Sequence, residues 1–398
     1  MIFVGLTLPS DGAHGILSPK SLSFISANLM VGIYLFLKQK ISLYQIKLLG
    51  FMSLVVIVLM LWLFISLIRD QTSPEARLDQ FKLFMITFSV PMLTLFLVSE
   101  KILSPQFFFK AVLYSSMTYI TAKVTLVLFH LLGFVDLWSL MQSTGILFMR
   151  MSIYGGLDRI QTSVDISTPF LVFFVLQSHH LGLNLSRLFK GSYILFSLLS
   201  TFLSFSRYLI FVYFVSCFLY WVSLDAKGLL KGFALFIMLS LAAYIAIGPE
   251  TVEKIIERRL FSQENTSSDE TRTLQAQALM EQFDEAPFLG AGIGGYAQGL
   301  VREPTVKHLY EVQWIAFLMQ FGVIGIVLLL IPLGLIALRL VMGSFSRVRC
   351  SFLGLFLLWI FSGFTNPFLI SLASGTMYAL FYLCGEVFLN KAQRVALR

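Results

Sequence analysis

Long runs of apolar residues, separated by short polar segments, make up most of the chain. A run of about 20 apolar residues is long enough to cross a bilayer as a helix. The pattern predicts about eleven such spans, within a range of ten to twelve. The expected spans are Ser21–Leu37, Leu48–Ile68, Leu83–Ser99, Phe107–Val135, Thr168–Leu183, Gly191–Phe205, Tyr208–Ser223, Gly232–Gly248, Trp314–Leu338, Phe352–Phe364 and Ser374–Leu389.

The composition fits this pattern and excludes a soluble protein. Of the 398 residues, 57% are hydrophobic and 13% are charged. A soluble domain carries about 25% charged residues, so this chain has too few to cover a surface in water. We therefore expect an all-α polytopic integral membrane protein.

The positive charge follows the membrane topology. If the first span runs from outside to inside, the inner loops collect 15 Lys and Arg residues and the short outer segments collect 7. The excess of basic residues in cytoplasmic loops selects this orientation, with the N-terminus outside and the C-terminus in the cytoplasm. The net charge of +8 then needs no nucleic-acid partner to explain it.

One long polar stretch, residues 249–313, interrupts the spans and faces outward in this topology. It divides the chain into an N-terminal bundle (1–248), a large outer loop (249–313) and C-terminal helices (314–398). Within the loop, Val252, Ile255, Ile256 and Leu260 recur at helical spacing and predict a helix in the membrane interface.

A second loop helix is predicted to start at Ser267, because Ser267 and Glu270 have capping-box spacing. It should end at or before Pro287 and bring Arg272, Gln275 and Leu279 to one face.

The glycine-rich run Gly290–Gly295 follows this helix. It lacks the preceding strand that a nucleotide-binding loop requires, so we expect its amides to approach either a substrate or a neighbouring helix. His308 and Glu311, three residues apart, are predicted to present an imidazole and a carboxylate on one face.

Other polar side chains lie inside or beside the spans. Lys123, with His130 beyond it, lies within the fourth span and should face the bundle interior or water, in a structural ion pair, as a snorkelling side chain or in a functional site. Arg150 and Arg159 lie in the outer loop 136–167, as part of a solvated surface or as anion ligands. Arg207 follows a short turn at the outer interface, where its guanidinium is either a phosphate ligand or an interfacial anchor.

Three of these pieces in order resemble the bacterial O-antigen polymerase and O-antigen ligase superfamily. They are the SFSRY turn around Arg207, the Arg272 helix that runs into PFLGAGIGG, and HLYE at 308–311 ahead of a span with Gly322 and Gly325. The resemblance covers most of the chain. It implies a GT-C-like glycosyltransferase in the bacterial inner membrane, with short helices in a periplasmic catalytic loop.

The resemblance also implies site residues and partners. Undecaprenyl-pyrophosphate-linked oligosaccharides would be both donor and acceptor, without a nucleotide sugar, metal or other cofactor. Membrane lipids surround the enzyme, and a polysaccharide chain-length regulator is a candidate protein partner. The implied catalytic residues are His308, Glu311 and Arg272, and the implied substrate-binding residues are Arg207, Arg272, Arg150, Arg159, Gly290, Gly292 and Tyr296.

The His308-Leu309 pair departs from the His-Asn pair typical of the ligases, and Glu311 matches the acidic residue that polymerases often carry nearby. We therefore favour a polymerase over a ligase. A flippase for lipid-linked oligosaccharides is the rival from another class, but transporters commonly show paired halves and this sequence shows no convincing internal repeat.

Overall fold

The computed structural model is a bundle of helices with one short β-hairpin. It describes residues 2–7, 19–38, 41–70, 72–144, 149–154, 157–224, 263–300, 307–343 and 346–396, and the single positions 230, 234, 237 and 238. The helices in these ranges are α1 Ile2–Thr7, α2 Pro19–Leu37, α3 Leu43–Arg69, α4 Pro74–Ser99, α5 Pro105–Leu131, α6 Leu137–Thr144, α7 Ser167–Leu176, α8 Arg187–Leu203, α9 Arg207–Ser223, α10 Gln263–Asp284, α11 Gln313–Val341, α12 Arg347–Phe361 and α13 Leu372–Ala396, with a 3₁₀ turn at Ser362–Phe364.

Seven helices in the described part of the chain are long and apolar enough to cross a membrane, namely α2, α3, α4, α5, α11, α12 with its 3₁₀ turn, and α13. Their outward faces are apolar: Phe36 is 90% exposed, and Ile57 and Phe64 also project from the bundle. An outer surface with many large apolar side chains and few polar ones is suited to contact with lipid and not with water. The chain is an all-α, multi-pass membrane protein.

Serine residues set where many helices begin. The hydroxyls of Ser42, Ser73, Ser104, Ser186, Ser206 and Ser346 each accept a hydrogen bond from the main-chain N–H three residues later. This cap satisfies one of the donors that the first turn of a helix leaves without a partner. Proline follows directly at Pro74 and Pro105, where its fixed φ suits the first turn.

Helix α7 forms the centre of the core. All nine residues of 167–175 are buried, and Phe170, Phe173 and Phe174 meet aromatic rings of α12 and α13 edge-on. Such edge-to-face contacts add to the free energy of apolar burial.

The predicted span Thr168–Leu183 is wrong in length, because its helix ends at Leu176. A polar turn follows, with Gly182 at φ +72°. Ten helical residues are about 15 Å long, about half the thickness of the hydrocarbon core.

The outer loop 136–167 contains structure that the sequence did not predict. Strands β1 Met149–Tyr154 and β2 Leu157–Gln161 form an antiparallel hairpin. Ile160 of this hairpin is buried together with Val127 of α5 and Leu137 of α6. Most of the predicted span Gly232–Gly248 and the predicted interfacial helix at 252–260 lie outside the described residues.

Polar contacts sort the helix ends into two groups. At one end, which we call the arginine end, Asp70 bonds Arg77 and Arg207 approaches Asp269. At the opposite end, Lys38 bonds Glu100, and Arg347 donates to the Leu224 carbonyl. Successive long helices therefore run in opposite directions, as the alternating topology predicts.

Candidate functional site

Arg207 occupies the first turn of α9 because of the short turn before it. Phe205 adopts a left-handed conformation at φ +43°, and Ser206 is the N-cap of α9. Tyr208 donates its hydroxyl to the Leu358 carbonyl on α12, which fixes the start of α9 against the bundle. The Arg207 side chain remains 39% exposed at the arginine end.

Arg272 lies on α10, on the face that packs against the bundle. Gln275 and Leu279, one and two turns further on, are fully buried, so the predicted shared face is confirmed. The helix ends at Asp284, before Pro287, as predicted. Its start is earlier than predicted, at Gln263, so the capping-box spacing at Ser267 does not mark the N-terminus.

A row of four charged side chains of alternating sign consists of Arg207, Asp269, Arg272 and Glu311. We call these four side chains the charge chain. Asp269 Oδ1 lies 2.8 Å from Arg272 Nη1 and 3.7 Å from Arg207 Nη2. Arg272 Nε donates to Glu311 Oε2 at 2.8 Å. The structure thus brings Arg207, Arg272 and Glu311 together, through a carboxylate that the sequence analysis did not select.

Exposure falls from Asp269 to Glu311. The Asp269 side chain is 63% exposed, Arg272 is 28% exposed and Glu311 is 18% exposed. The two bonds of Arg272 use two of the five N–H donors of its guanidinium. An anion that arrives from the water side therefore competes mainly with Asp269, whose carboxylate can return to water at little cost.

The glycine-rich loop fills a break in helix α11. Gly322 interrupts α11 with φ +62° and ψ −176°. Ala291 and Gly292 donate their N–H groups to the Met319 and Gln320 carbonyls, and the Val323 N–H is bonded to the Pro287 carbonyl. The loop thereby provides hydrogen-bond partners for main-chain groups that the break in α11 would leave unpaired. Main-chain groups inside a membrane require such partners from the protein.

Side chains from α3 and α4 hold this junction in place. The Trp62 indole N–H is shared between the Leu289 carbonyl at 2.9 Å and the Phe321 carbonyl at 3.0 Å. Gln80 accepts the Gly294 N–H and donates to the side chain of Gln320. All six residues from 290 to 295 are buried, so the loop is part of the packed bundle.

The structure selects one of the two alternatives for the glycine run, an approach to neighbouring helices. A Cβ on Gly290 would lie 2.4 Å from the Gln320 carbonyl oxygen. The N–H groups of Gly290 and Gly292 are bonded to the Ala286 and Gln320 carbonyls. Substrate binding by these two glycines stays a prediction, and their main-chain donors already have protein partners.

Tyr296 follows the glycine run and is partly buried. Lys307 places its ammonium 5.2 Å from the centre of the Tyr296 ring, a cation–π contact. Tyr310 anchors the same region, because its hydroxyl accepts the Ala297 N–H and donates to the Leu300 carbonyl. Substrate binding by Tyr296 stays a prediction.

His308 is 5% exposed, and neither ring nitrogen has a hydrogen-bond partner among the residues that the structure describes. Burial lowers the pKa of His308 from 6.5 to about 4, against the opposing influence of the Asp79 carboxylate on α4. The imidazole is therefore neutral near pH 7.

The predicted arrangement of His308 and Glu311 on one helical face is wrong. Residues 307–312 form turns and bends, and α11 begins only at Gln313. Three-residue spacing aligns side chains only within a helix. Glu311 joins the charge chain, whereas the carboxylate that acts on His308 is Asp79.

Lys123 forms a structural ion pair, which was one of its predicted alternatives. Its ammonium lies 2.7 Å from Asp165 Oδ1 and donates to the Ser200 carbonyl, with all three residues buried. His130 packs edge-on against Trp138 and lies 3.1 Å from the Val135 carbonyl. The ion pair joins α5, α8 and the segment that leads into α7.

Arg150 and Arg159 lie on the two strands of the β-hairpin. They are not paired with each other, because Arg150 pairs with Ile160 and Arg159 pairs with Met151. The hairpin joins the bundle beside the Leu203 end of α8, near the turn that carries Arg207. Their role in substrate binding stays a prediction.

Two residues of the site escaped the sequence analysis. Asp269 precedes Arg272 by one helical turn, and this spacing was a signal that could have found it. Asp79 belongs to α4 and reaches the His308 region only through tertiary packing, so no local pattern marks it.

Comparison with known proteins supports the resemblance. Residues 192–330 match a family model described as O-antigen ligase. The matched stretch contains Arg207, the charge chain, the glycine-rich loop and the break in α11. No curated protein and no solved structure matches the chain.

Proposed function

We propose, from the match of residues 192–330 to a family model described as O-antigen ligase, that the chain is an O-antigen polymerase of the O-antigen polymerase and O-antigen ligase superfamily. It transfers a glycan from undecaprenyl pyrophosphate to the non-reducing end of another lipid-linked repeat unit. The reaction takes place at the periplasmic face of the bacterial inner membrane.

The observation that carries this proposal is the approach of two guanidiniums to one exposed carboxylate. Arg207 and Arg272 both reach Asp269 Oδ1 at the end of the bundle, where a lipid diphosphate would lie. Guanidinium groups bind phosphate oxygens through pairs of N–H donors, so a diphosphate can replace Asp269 between them. Arg150 and Arg159 on the nearby hairpin are further candidate ligands.

The proposed reaction is one displacement at the anomeric carbon. The acceptor hydroxyl forms the new bond to that carbon, and the bond to the pyrophosphate oxygen breaks. The negative charge that develops on the leaving diphosphate is stabilised by Arg207 and Arg272, since fixed cations are most effective where water is scarce. A single displacement inverts the anomeric configuration.

The proton of the acceptor hydroxyl goes to a general base, for which we propose Glu311. Its carboxylate lies on the charge chain and is oriented by Arg272. A base must lie within hydrogen-bonding reach of the hydroxyl it deprotonates. His308 is the alternative base, since it is neutral near pH 7, but it is 5% exposed and lies outside the charge chain.

Arg272 provides the direct test of this proposal. In a complemented deletion strain, Arg272→Ala should abolish the long lipopolysaccharide ladder at unchanged protein level, because the loss of one such donor slows a reaction roughly a hundred- to a thousandfold. Arg272→Lys should also fail, because an ammonium cannot reproduce the planar donor fork. Gln277→Ala, an exposed change on the same helix, should keep the ladder, and a normal ladder from Arg272→Ala would refute the proposed role.

An O-antigen ligase is the second candidate, and the description of the matching family favours it. The same donor site would then transfer finished polymer to lipid A core. Loss of a polymerase leaves core with one repeat unit, whereas loss of a ligase leaves bare core and lipid-linked polymer. A gel of the deletion strain therefore distinguishes the two.

A further inference from the structure

A crevice opens between four helices at the end of the bundle opposite the arginine end. Its volume is about 350 Å³, within the range of ligand-binding pockets. It is lined by residues of α3, α4, α11 and α13, which include Phe51, Phe88 and Met92. The charge chain and the glycine-rich loop do not contribute to its wall, so it is separate from the site described above.

The crevice is polar at one end and apolar along the rest of its length. Tyr44 and Lys47 lie in the first two turns of α3, and Arg339 lies in the last turn of α11. Going inward from Arg339, the wall of α11 continues through Ile336 to Pro332, over roughly 10 Å of helix. A molecule that fits this wall has an anionic head and an apolar tail.

Two prolines help to explain why the helices part here. Pro91 lies inside α4 and Pro332 lies inside α11, and both line the crevice. A proline inside a helix removes one main-chain hydrogen bond and displaces the carbonyl four residues earlier. The crevice is therefore built into the helices themselves.

The charges around the polar end leave a positive excess. Lys47 is exposed, and Arg339 lies 3.4 Å from Glu386 and over the ring of Tyr382. Among the described residues at this end of the crevice, two cations face one carboxylate, which leaves a net positive charge for a monoanionic phosphate. Leu335 and Tyr44 are also exposed, so the crevice opens sideways to the lipid.

We propose that this crevice binds one anionic membrane phospholipid of the phosphatidylglycerol class. The phosphate lies between Lys47 and Arg339, and the upper part of an acyl chain lies along Phe51, Met92 and Pro332. Basic pockets between transmembrane helices suit such headgroups. This site is independent of the proposed transferase reaction and takes a lipid as a bound structural partner.

The test is lipid binding by the purified full chain in a neutral detergent. Phosphatidylglycerol and phosphatidylcholine with the same acyl chains are titrated, and bound lipid is measured by native mass spectrometry together with the shift in Tm. We expect a retained phosphatidylglycerol adduct and a higher Tm, without either for phosphatidylcholine. Equal binding of the two lipids would overturn the proposal.

Variants assign the binding to the crevice. Lys47→Ala with Arg339→Ala should weaken phosphatidylglycerol binding roughly twenty-five-fold, about fivefold for each cation. Lys101→Ala with Lys190→Ala removes the same charge from the same end of the bundle and should leave binding unchanged. Loss of Arg339 also breaks its pair with Glu386. Lys47→Ala alone removes only an exposed cation, and it should weaken phosphatidylglycerol binding about fivefold.

Two further measurements address the tail and the identity of the lipid. Met92→Trp fills the apolar part while it keeps both cations, and it should also prevent the adduct. Undecaprenyl phosphate is added as a competitor, and it should compete less strongly than phosphatidylglycerol. Stronger competition would identify a carrier-lipid site, and unchanged binding in all crevice variants would identify a different surface; either result would refute the proposal.

Discussion

Single residues in this site act through partners from distant parts of the chain. Arg272 meets Glu311, and Asp269 reaches Arg207 on another helix. The fully buried Gln275 holds the main chain of Glu311, because its side-chain oxygen accepts the Glu311 N–H at 2.9 Å. The position of the proposed base thus depends on two neighbouring turns of α10.

His308 makes a prediction for pH dependence. Its pKa is about 4 in the folded chain and 6.5 ordinarily, so between these values the unfolded chain binds the extra proton. The free energy of unfolding therefore falls as the pH falls from about 6.5 toward 4, by up to roughly 3 kcal/mol. The Tm from thermal unfolding should therefore decrease as the pH is lowered through this range.

His308→Phe should remove that part of the pH dependence, since a phenyl ring takes up no proton. His179→Gln, a change at an exposed histidine, is the matched control and should retain it. If the His308→Phe variant keeps the full wild-type dependence, the buried imidazole is not its source. The lipopolysaccharide ladder of the same variant reports whether His308 acts as the base in place of Glu311.

At the scale of elements, the central feature is the junction of the glycine-rich loop with the two halves of α11. The break at Gly322 lies nine residues into α11, which is roughly 14 Å along its axis. Irregular main chain at such a depth requires partners from the protein. The loop and Trp62 provide them, and this ties the end of α10 to the bundle.

We expect one added methyl group at this junction to lower the stability of the protein substantially. A Cβ on Gly322 would lie 2.3 Å from the Phe288 carbonyl oxygen, and a non-glycine residue is strained at φ +62°. Gly322→Ala should therefore lower the free energy of unfolding by about 2 kcal/mol or more and reduce the ladder.

A Cβ added at Gly334 on the same helix would have no neighbouring atom within 4 Å, so Gly334→Ala is the matched control. It should leave Tm unchanged or raise it slightly, because alanine favours helix over glycine. Equal Tm values for the two variants would show that the loop does not pack against α11 as described.

At the scale of the whole molecule, the two ends of the bundle have different properties. The arginine end carries the charge chain and the buried His308 region, and the opposite end carries the crevice for which we propose a phospholipid. The distribution of Lys and Arg predicts that the arginine end faces the periplasm. The donor and the acceptor of the proposed reaction would reach the site only in that orientation.

Cysteine labelling tests the orientation. In a background without Cys217 and Cys350, Thr273→Cys on exposed α10 should react with a membrane-impermeant maleimide from the periplasmic side. His179→Cys at the turn after α7 should react only after the inner membrane is disrupted. The reverse pattern would place the charge chain in the cytoplasm and refute the proposed reaction.

The sequence by itself determined the membrane class, the long spans and the buried face of α10. Each of these follows from local composition or spacing: apolar length fixes a span, and helical period fixes the buried face of α10. The pairing of Arg207 with Arg272 came from the order of pieces that resemble a family and not from their geometry.

Tertiary structure decided what the remaining residues do. Whether a glycine amide meets a substrate or a helix depends on what packs against it, and here the partner is the broken α11. Whether Lys123 is structural depends on Asp165, 42 residues away. The length of α7 and the Asp79 neighbour of His308 likewise depend on contacts between distant segments, which local periodicity does not encode.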